Sequence, residues 1–250
     1  MALPRSLDVE LEAVTPLWIG GASYQSELRA PSVRGCLRFW LRALLGGVLG
    51  EGLDNLRAAE SAVYGNMQQA STVVARLTGT PRIGMIEKQD DITPGLSYML
   101  WSVFQQKRDA ILPGERFRLR LQNRPLPFPP LEVAGRTLDR GDRFELALAS
   151  LWLLLRLGGV GARARRGAGG MRAVAAPEGW PDTLPPLVSA ATTPGAWAAE
   201  LGDGIRRLRR FARWQGPAPA ERSSFDLLHE NACQLSVVDR TFESWSEALN

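Results

Sequence analysis

The stretch from Phe144 to Leu157 constrains this 250-residue sequence more than any other. It holds about 14 residues, with Glu145 and Arg156 its only charges, whereas a membrane span needs roughly 20. Too apolar for a surface and too short for a bilayer, it must be a helix enclosed by protein. It reads as running from about Asp142 to Leu157 and ending at Gly158-Gly159, as helices often do. Such a helix requires a partner layer, and period-two segments supply it. Leu7, Val9, Leu11 and Ala13 alternate with Asp8, Glu10 and Glu12, and Phe117, Leu119 and Leu121 alternate with Arg116, Arg118 and Arg120, as in strands with one wet face. Ser71 to Leu77, rich in β-branched residues, reads as a strand. Leu96 to Phe104 and Met171 to Ala175 read as two more.

Between the first strand and Ser71 lies a second helix, from Val33 to about Leu49, with Ser32 as its expected cap. Val33, Leu37, Leu41, Leu44 and Val48 form one stripe at steps of three and four, while Arg34, Arg38 and Arg42 form another at steps of four. The order strand, helix, strand, strand, helix, glycine loop, strand is that of a split β-α-β unit. It predicts an α+β, ferredoxin-like domain of the kind used for RNA recognition. Asn123 to Pro130 reads as extended and Arg136 to Arg143 as a polar connection. After residue 176 the character changes. Pro, Ala, Gly and Trp dominate to about Pro194, Trp197 to Trp214 reads as a helix, Ala232 to Val238 as a strand, and Phe242 to Leu249 as an amphipathic segment. The expected division is therefore 1–176 as the ferredoxin-like domain and 177–250 as an insertion with a helical C-terminal portion.

The charge is arginine charge. Of the 30 basic residues only Lys88 and Lys107 are lysines, and the sequence pI is near 9.6 although the net charge is only +4. A GC-rich genome produces such a bias by itself, so clustering must carry any argument for a polyanion partner. The densest cluster is GGVGARARRGAGG, Gly158 to Gly170. There Gly159, Gly161 and Gly167, lacking Cβ atoms, would let backbone amides approach phosphates. Arg163, Arg165 and Arg166 would add charge and forked hydrogen bonding. The bland alternative is a flexible linker with solvated arginines. On the first helix, Arg34, Arg38 and Arg42 read as either a wet face or a phosphate track, with Gly35 opening the helix N-terminus to an anion. Arg206, Arg207, Arg209, Arg210 and Arg213 form a weaker third cluster. Trp40 and Phe39 read as core.

Several chemistries find little support. Gly159 to Ala164 fits G-x-G-x-x-A, but it follows a helix, where a dinucleotide fingerprint follows a strand, so no cofactor is expected. Cys36 and Cys233 stand in unlike contexts, which argues against a disulfide or zinc framework. Glu27, Asp90, Asp91 and His229 are scattered, and His229 beside Glu230 reads as a surface histidine. No catalytic or metal-ligating set is expected. The N-terminus shows no export signal, so the protein is expected to be cytoplasmic.

Two segments together resemble a known family. They are Thr15-Pro16-Leu17-Trp18-Ile19-Gly20-Gly21-Ala22 and, after Glu27-Leu28-Arg29-Ala30-Pro31-Ser32, the run Val33-Arg34-Gly35-Cys36-Leu37-Arg38-Phe39-Trp40-Leu41-Arg42-Ala43-Leu44. They resemble the RAMP superfamily of CRISPR proteins, in particular the first RAMP subunits of type III-B (Cmr) effector complexes. Gly159 to Gly169 looks like that superfamily's glycine-rich loop, and Tyr64-Gly65 like a short element that often follows the first helices. Trp18 and Leu41 depart from the usual Phe and Trp while keeping bulk. The resemblance implies a non-catalytic RNA-binding subunit in antiviral defence, with guide RNA, target RNA and other effector subunits as partners. It implies Arg29, Arg34, Gly35, Arg38, Arg42, Gly159, Gly161, Arg163, Arg165, Arg166 and Gly167 as contact residues. The superfamily's target-cleaving subunit uses an aspartate before the first helix, and Thr15 to Pro31 has Glu27 and no Asp. Members often carry a second ferredoxin-like half, for which little chain is left after residue 176. The alternative within the superfamily is a metal-independent endoribonuclease that processes CRISPR RNA, usually with a histidine base near the first helix.

Overall fold

The computed structural model describes residues 5–21, 25–50, 52–86, 93–212, 228–229 and 233–249. The first strand, β1 (Ser6–Ala13), is followed by two helices, α1 (Ala30–Leu49) and α2 (Leu53–Tyr64), and then β2 (Val73–Thr78). Next come β3 (Ile83–Gly84), α3 (Pro94–Met99), α4 (Trp101–Gln105), β4 (Ala110–Ile111) and β5 (Arg116–Asn123). The hairpin β6 (Leu131–Val133) and β7 (Arg136–Leu138) precedes α5 (Arg140–Leu157), and a 3-10 turn (Ala164–Arg166) leads into β8 (Met171–Ala173). Two helices, α6 (Pro194–Phe211) and α7 (Trp245–Ala248), complete the order.

Strands β2, β5, β1 and β8 lie in that order in one antiparallel sheet, with Leu11 facing both Phe117 and Ala173. The period of two decides the faces. Leu7, Val9, Leu11, Ala13, Phe117, Leu119 and Leu121 are buried with α1 and α5, while the opposite face carries charge. There Arg120 forks onto Asp8 at 2.9 and 2.8 Å, and Glu12 takes both Arg116 at 3.2 Å and Arg172 at 2.6 Å. Hydrogen bonding from Arg120 holds the Asp8 carboxyl below its ordinary range.

Helix α5 is sunk in the core almost throughout, as its composition requires, and starts with a capping box in which Asp139 and Asp142 each accept the other's backbone N–H. Residues beyond 176 share the same apolar cluster: Leu184, Leu187, Leu201, Leu208 and Ala212 all join it. Trp152 Nε1 donates to the Pro186 carbonyl, and Arg156 stacks 4.7 Å from the Trp197 ring while pairing with Glu200 at 3.0 Å. No helix among the described residues is long and apolar enough to cross a membrane.

Several sequence expectations need correction. Leu96 to Phe104 is helical, not a strand, because Thr93 caps the Leu96 amide, Pro94 sits in the first turn, and Leu96, Leu100 and Val103 bury one helical stripe. Helix α1 begins at Ala30 with Arg29 as its N-cap and Pro31 in the first turn, so Ser32 is not the cap and Gly35 lies in the second turn. Residues 233–238 form no strand, and a hairpin occupies part of the polar connection before α5. His229 is buried at 4% exposure. Asp90, Asp91, Arg213 and Glu230 lie outside the described residues.

Candidate nucleic-acid interface

The two segments singled out by sequence, about 145 residues apart, are stitched together. Ala162 N–H donates to the Trp18 carbonyl at 2.8 Å, Gly169 N–H to the Pro16 carbonyl at 2.9 Å, and Gly170 N–H to Thr15 Oγ1 at 2.8 Å. In return Val14 N–H donates to the Gly170 carbonyl at 2.9 Å, and Val160 N–H closes the segment on the Gly169 carbonyl at 2.9 Å. The glycines make this approach possible. A Cβ on Gly161, where φ is +98°, would stand 2.4 Å from the Trp18 carbonyl oxygen, and one on Gly159 would stand 2.6 Å from the Ala168 oxygen. The space their side chains would take is filled by protein backbone, and the neighbouring amides of Val160, Ala162 and Gly169 are spent on protein carbonyls. This corrects the expectation that Gly159 and Gly161 clear a path for phosphate. Gly167, at φ +82°, is exposed and abuts the Leu249 side chain.

The locked segment is not a floppy linker. A second apolar cluster of Trp18, Leu96, Leu100, Val103, Ala110 and Ala168 supports it from beneath. Trp18 is buried, meets Phe104 edge to face, and donates from Nε1 to the Arg108 carbonyl at 3.0 Å. On this base the 3-10 turn holds the arginines. Arg163 Nε donates to Ser102 Oγ at 3.0 Å and Arg166 to the Met99 carbonyl at 3.4 Å, both uncharged acceptors, while Arg165 is exposed. None of the three has a carboxylate partner among the described residues. Arg29 braces the facing connection, donating to the Gly20 carbonyl at 3.0 Å and pairing with Glu27 at 3.2 Å.

The arginine stripe of α1 does something else. Arg38 Nε and Arg42 meet the two oxygens of Glu60 on α2 at 2.5 and 3.0 Å, and that glutamate side chain is only 7% exposed. These two arginines join helices. Cys36 and Trp40, by contrast, reach Gly159 and Gly158. At 100° per residue they lie on the flank of α1 opposite Arg38. The structure therefore brings Arg29 and the 158–170 arginines to one side and sends Arg38 and Arg42 to the other, so the two clusters do not converge on one strip. Only Arg34 of the stripe stays exposed without an acidic partner, beside exposed Gly35. Phe39 and Trp40 are half-buried, with ring centroids 5.3 Å apart. Arg124, just past β5, shares a cleft with Arg34 and was not singled out in the sequence. Its one signal there is a basic residue closing an alternating strand.

The RAMP superfamily profile matches residues 10–172. The chain is 30% identical over 177 residues to CRISPR system Cmr subunit Cmr1-2 of Pyrococcus furiosus, covering 65% of this chain and 92% of that protein. It is 34% identical over 158 residues to subunit Cmr1-1 of the same organism, covering 60% of this chain and 41% of that one. Among solved structures, apo Cmr1 from Pyrococcus furiosus matches with a TM-score of 0.62 at 24% identity, over 83% of this chain and 59% of that chain. A chain of the type III-B Cmr-beta complex bound to cognate target RNA matches at 0.56 and 12% identity, over 87% and 64%. At these identities the solved structures speak for the fold.

Proposed function

The chain belongs to the RAMP superfamily, and from that premise we propose that it is a non-catalytic RNA-binding subunit of a type III-B CRISPR effector complex, holding guide RNA and admitting target RNA. Its similarity to Cmr1 subunits of a CRISPR system supports the assembly, and the fold shared with a chain of an RNA-bound complex suits a place in it. The strand order β8-β1-β5-β2, with α1 and α5 on one face, supports reading 1–176 as a ferredoxin-like domain and 158–170 as the superfamily's glycine-rich loop. Residues 177–250 are then an appended portion, of which 184–212 pack on α5.

The observation that carries the proposal is the locked turn: three arginines without carboxylate partners among the described residues, on backbone fixed by the β1–α1 connection. Guanidinium groups bonded only to neutral acceptors on a rigid support suit phosphates, which need charge and position but no base-specific contact. The sheet supports this placement. RNA-recognition sheets stack bases on exposed aromatics, whereas here the open face carries Asp8, Glu10, Glu12, Arg116, Arg118, Arg120 and Arg172, largely paired with each other. Contact thereby moves to the loops.

Replacing Arg163, Arg165 and Arg166 together by Ala is expected to weaken single-stranded RNA binding for every sequence tried. It should also flatten the slope of log affinity against log salt by about 2, at roughly 0.7 per lost single-strand phosphate contact. Anisotropy titrations at several salt concentrations check this, and an unchanged slope would remove the reading. Incubation with repeat RNA should leave the RNA intact. Specific cuts lost in His229→Ala would install the endoribonuclease alternative instead.

A further inference from the structure

On the flank of α1 away from the locked turn, an open cleft of about 490 Å³ runs between α1 and the 64–71 turn. Its lining includes Arg34, Arg38, Asn66, Gln69 and Arg124 and contains no acidic residue. A smaller cleft of about 170 Å³ adjoins it and shares Arg34, Ser71 and Arg124. Arg38 is neutralised by Glu60, whereas Arg34 and Arg124 have no carboxylate partner among the described residues.

Gly35 supplies the independent observation. It sits inside α1, exposed, with nothing within 4 Å of where a Cβ would stand. Farther along the same helix Gly47 has an evident reason to be glycine, since its Cβ would meet the Leu228 carbonyl oxygen at 2.5 Å. Glycine is among the least favourable residues in a helix interior, and neither packing nor backbone conformation requires it at 35. Its helical neighbours one turn away, Pro31 and Arg38, line the two clefts. A bare patch of helix at the lip of a cationic cleft suits a ligand backbone that passes close to it.

We infer that this cleft is a second contact for the RNA strand, seating a phosphodiester between Arg34 and Arg124 while the strand crosses the helix over Gly35. The inference rests on the RNA-binding reading above and adds a site on the far flank of α1.

The test uses the full 250-residue chain and a fluorescent single-stranded RNA of about 20 nucleotides, with the loop triple variant alongside. Arg34→Ala with Arg124→Ala should lower affinity about tenfold near 0.1 M salt and flatten the salt slope by about 1.4, from two lost contacts. The Lys replacements at both positions should recover most of the slope. Gly35→Ala should raise the melting temperature, and Gly35→Leu should weaken RNA binding without lowering that temperature below wild type. Unchanged slope in the Arg34/Arg124 double variant, with the loop variant weakened, would overturn the cleft and leave the RNA-binding reading standing. No RNA binding by the wild-type chain would overturn both. Full competition by millimolar inorganic phosphate would mark a small-anion site and overturn the strand contact.

Discussion

Glu60 shows how one buried carboxylate reassigns its neighbours. In sequence it is an acid in the middle of Ala58 to Val63, and in the fold it receives Arg38 and Arg42, whose spacing of four brings both guanidinium groups to the same flank. Glu60→Gln is expected to cost about 1–3 kcal/mol, below the figure for a fully buried pair because both arginines keep contact with water. Urea denaturation measures it. The i, i+4 repeat of arginines was legible in the sequence, but their destination was not, because it depends on how α2 returns against α1. The glycines repeat that lesson. Their density between 158 and 170 marks close approach of backbone, yet only the tertiary structure shows that the approaching group is Trp18 or Val160 rather than phosphate.

Strong periodicity made most large elements legible. β1, α1, β5 and α5 follow stripes that burial alone dictates, and the outer faces of β1 and β5 oppose acids to arginines in register. The fold there leaves Asp8 with a carboxyl pKa below its ordinary value, so this pair adds stability above about pH 4 and loses it as pH falls through the lowered value. Arg120→Ala should return the Asp8 titration toward 3.8, as followed by carboxyl-carbon NMR. Helices α3 and α4 escaped because Leu96 to Phe104 is short and apolar on several sides, where helix and strand periods overlap. The Thr93-Pro94 start was the signal available. The β6–β7 hairpin has three-residue strands, too short for alternation to register. At the start of α5, Asp139→Ala should cost about 1 kcal/mol, read as a lower thermal midpoint, because it strips one half of the capping box.

Taken as a whole, the molecule packs residues 184–212 on α5 rather than hanging them on a linker. Leu208, fully buried in the main apolar cluster, reports on that union: Leu208→Ala is expected to cost about 2–5 kcal/mol and to leave unfolding in one transition by calorimetry. The change in composition after residue 176 was legible, but its packing on Trp152 and Arg156 was not, since a tryptophan bonded to a carbonyl about 34 positions away leaves no local pattern. The stitching of Thr15 to Gly170 carries a consequence for synthesis. Those partners stand 155 positions apart, so a growing polypeptide has α1 and its arginines long before it has a rigid cationic turn. Until Gly170 leaves the ribosome the nascent chain cannot present that turn, and a product truncated before Gly158 never acquires it. The order of translation itself thus delays the rigid cationic turn until the domain that carries it is finished.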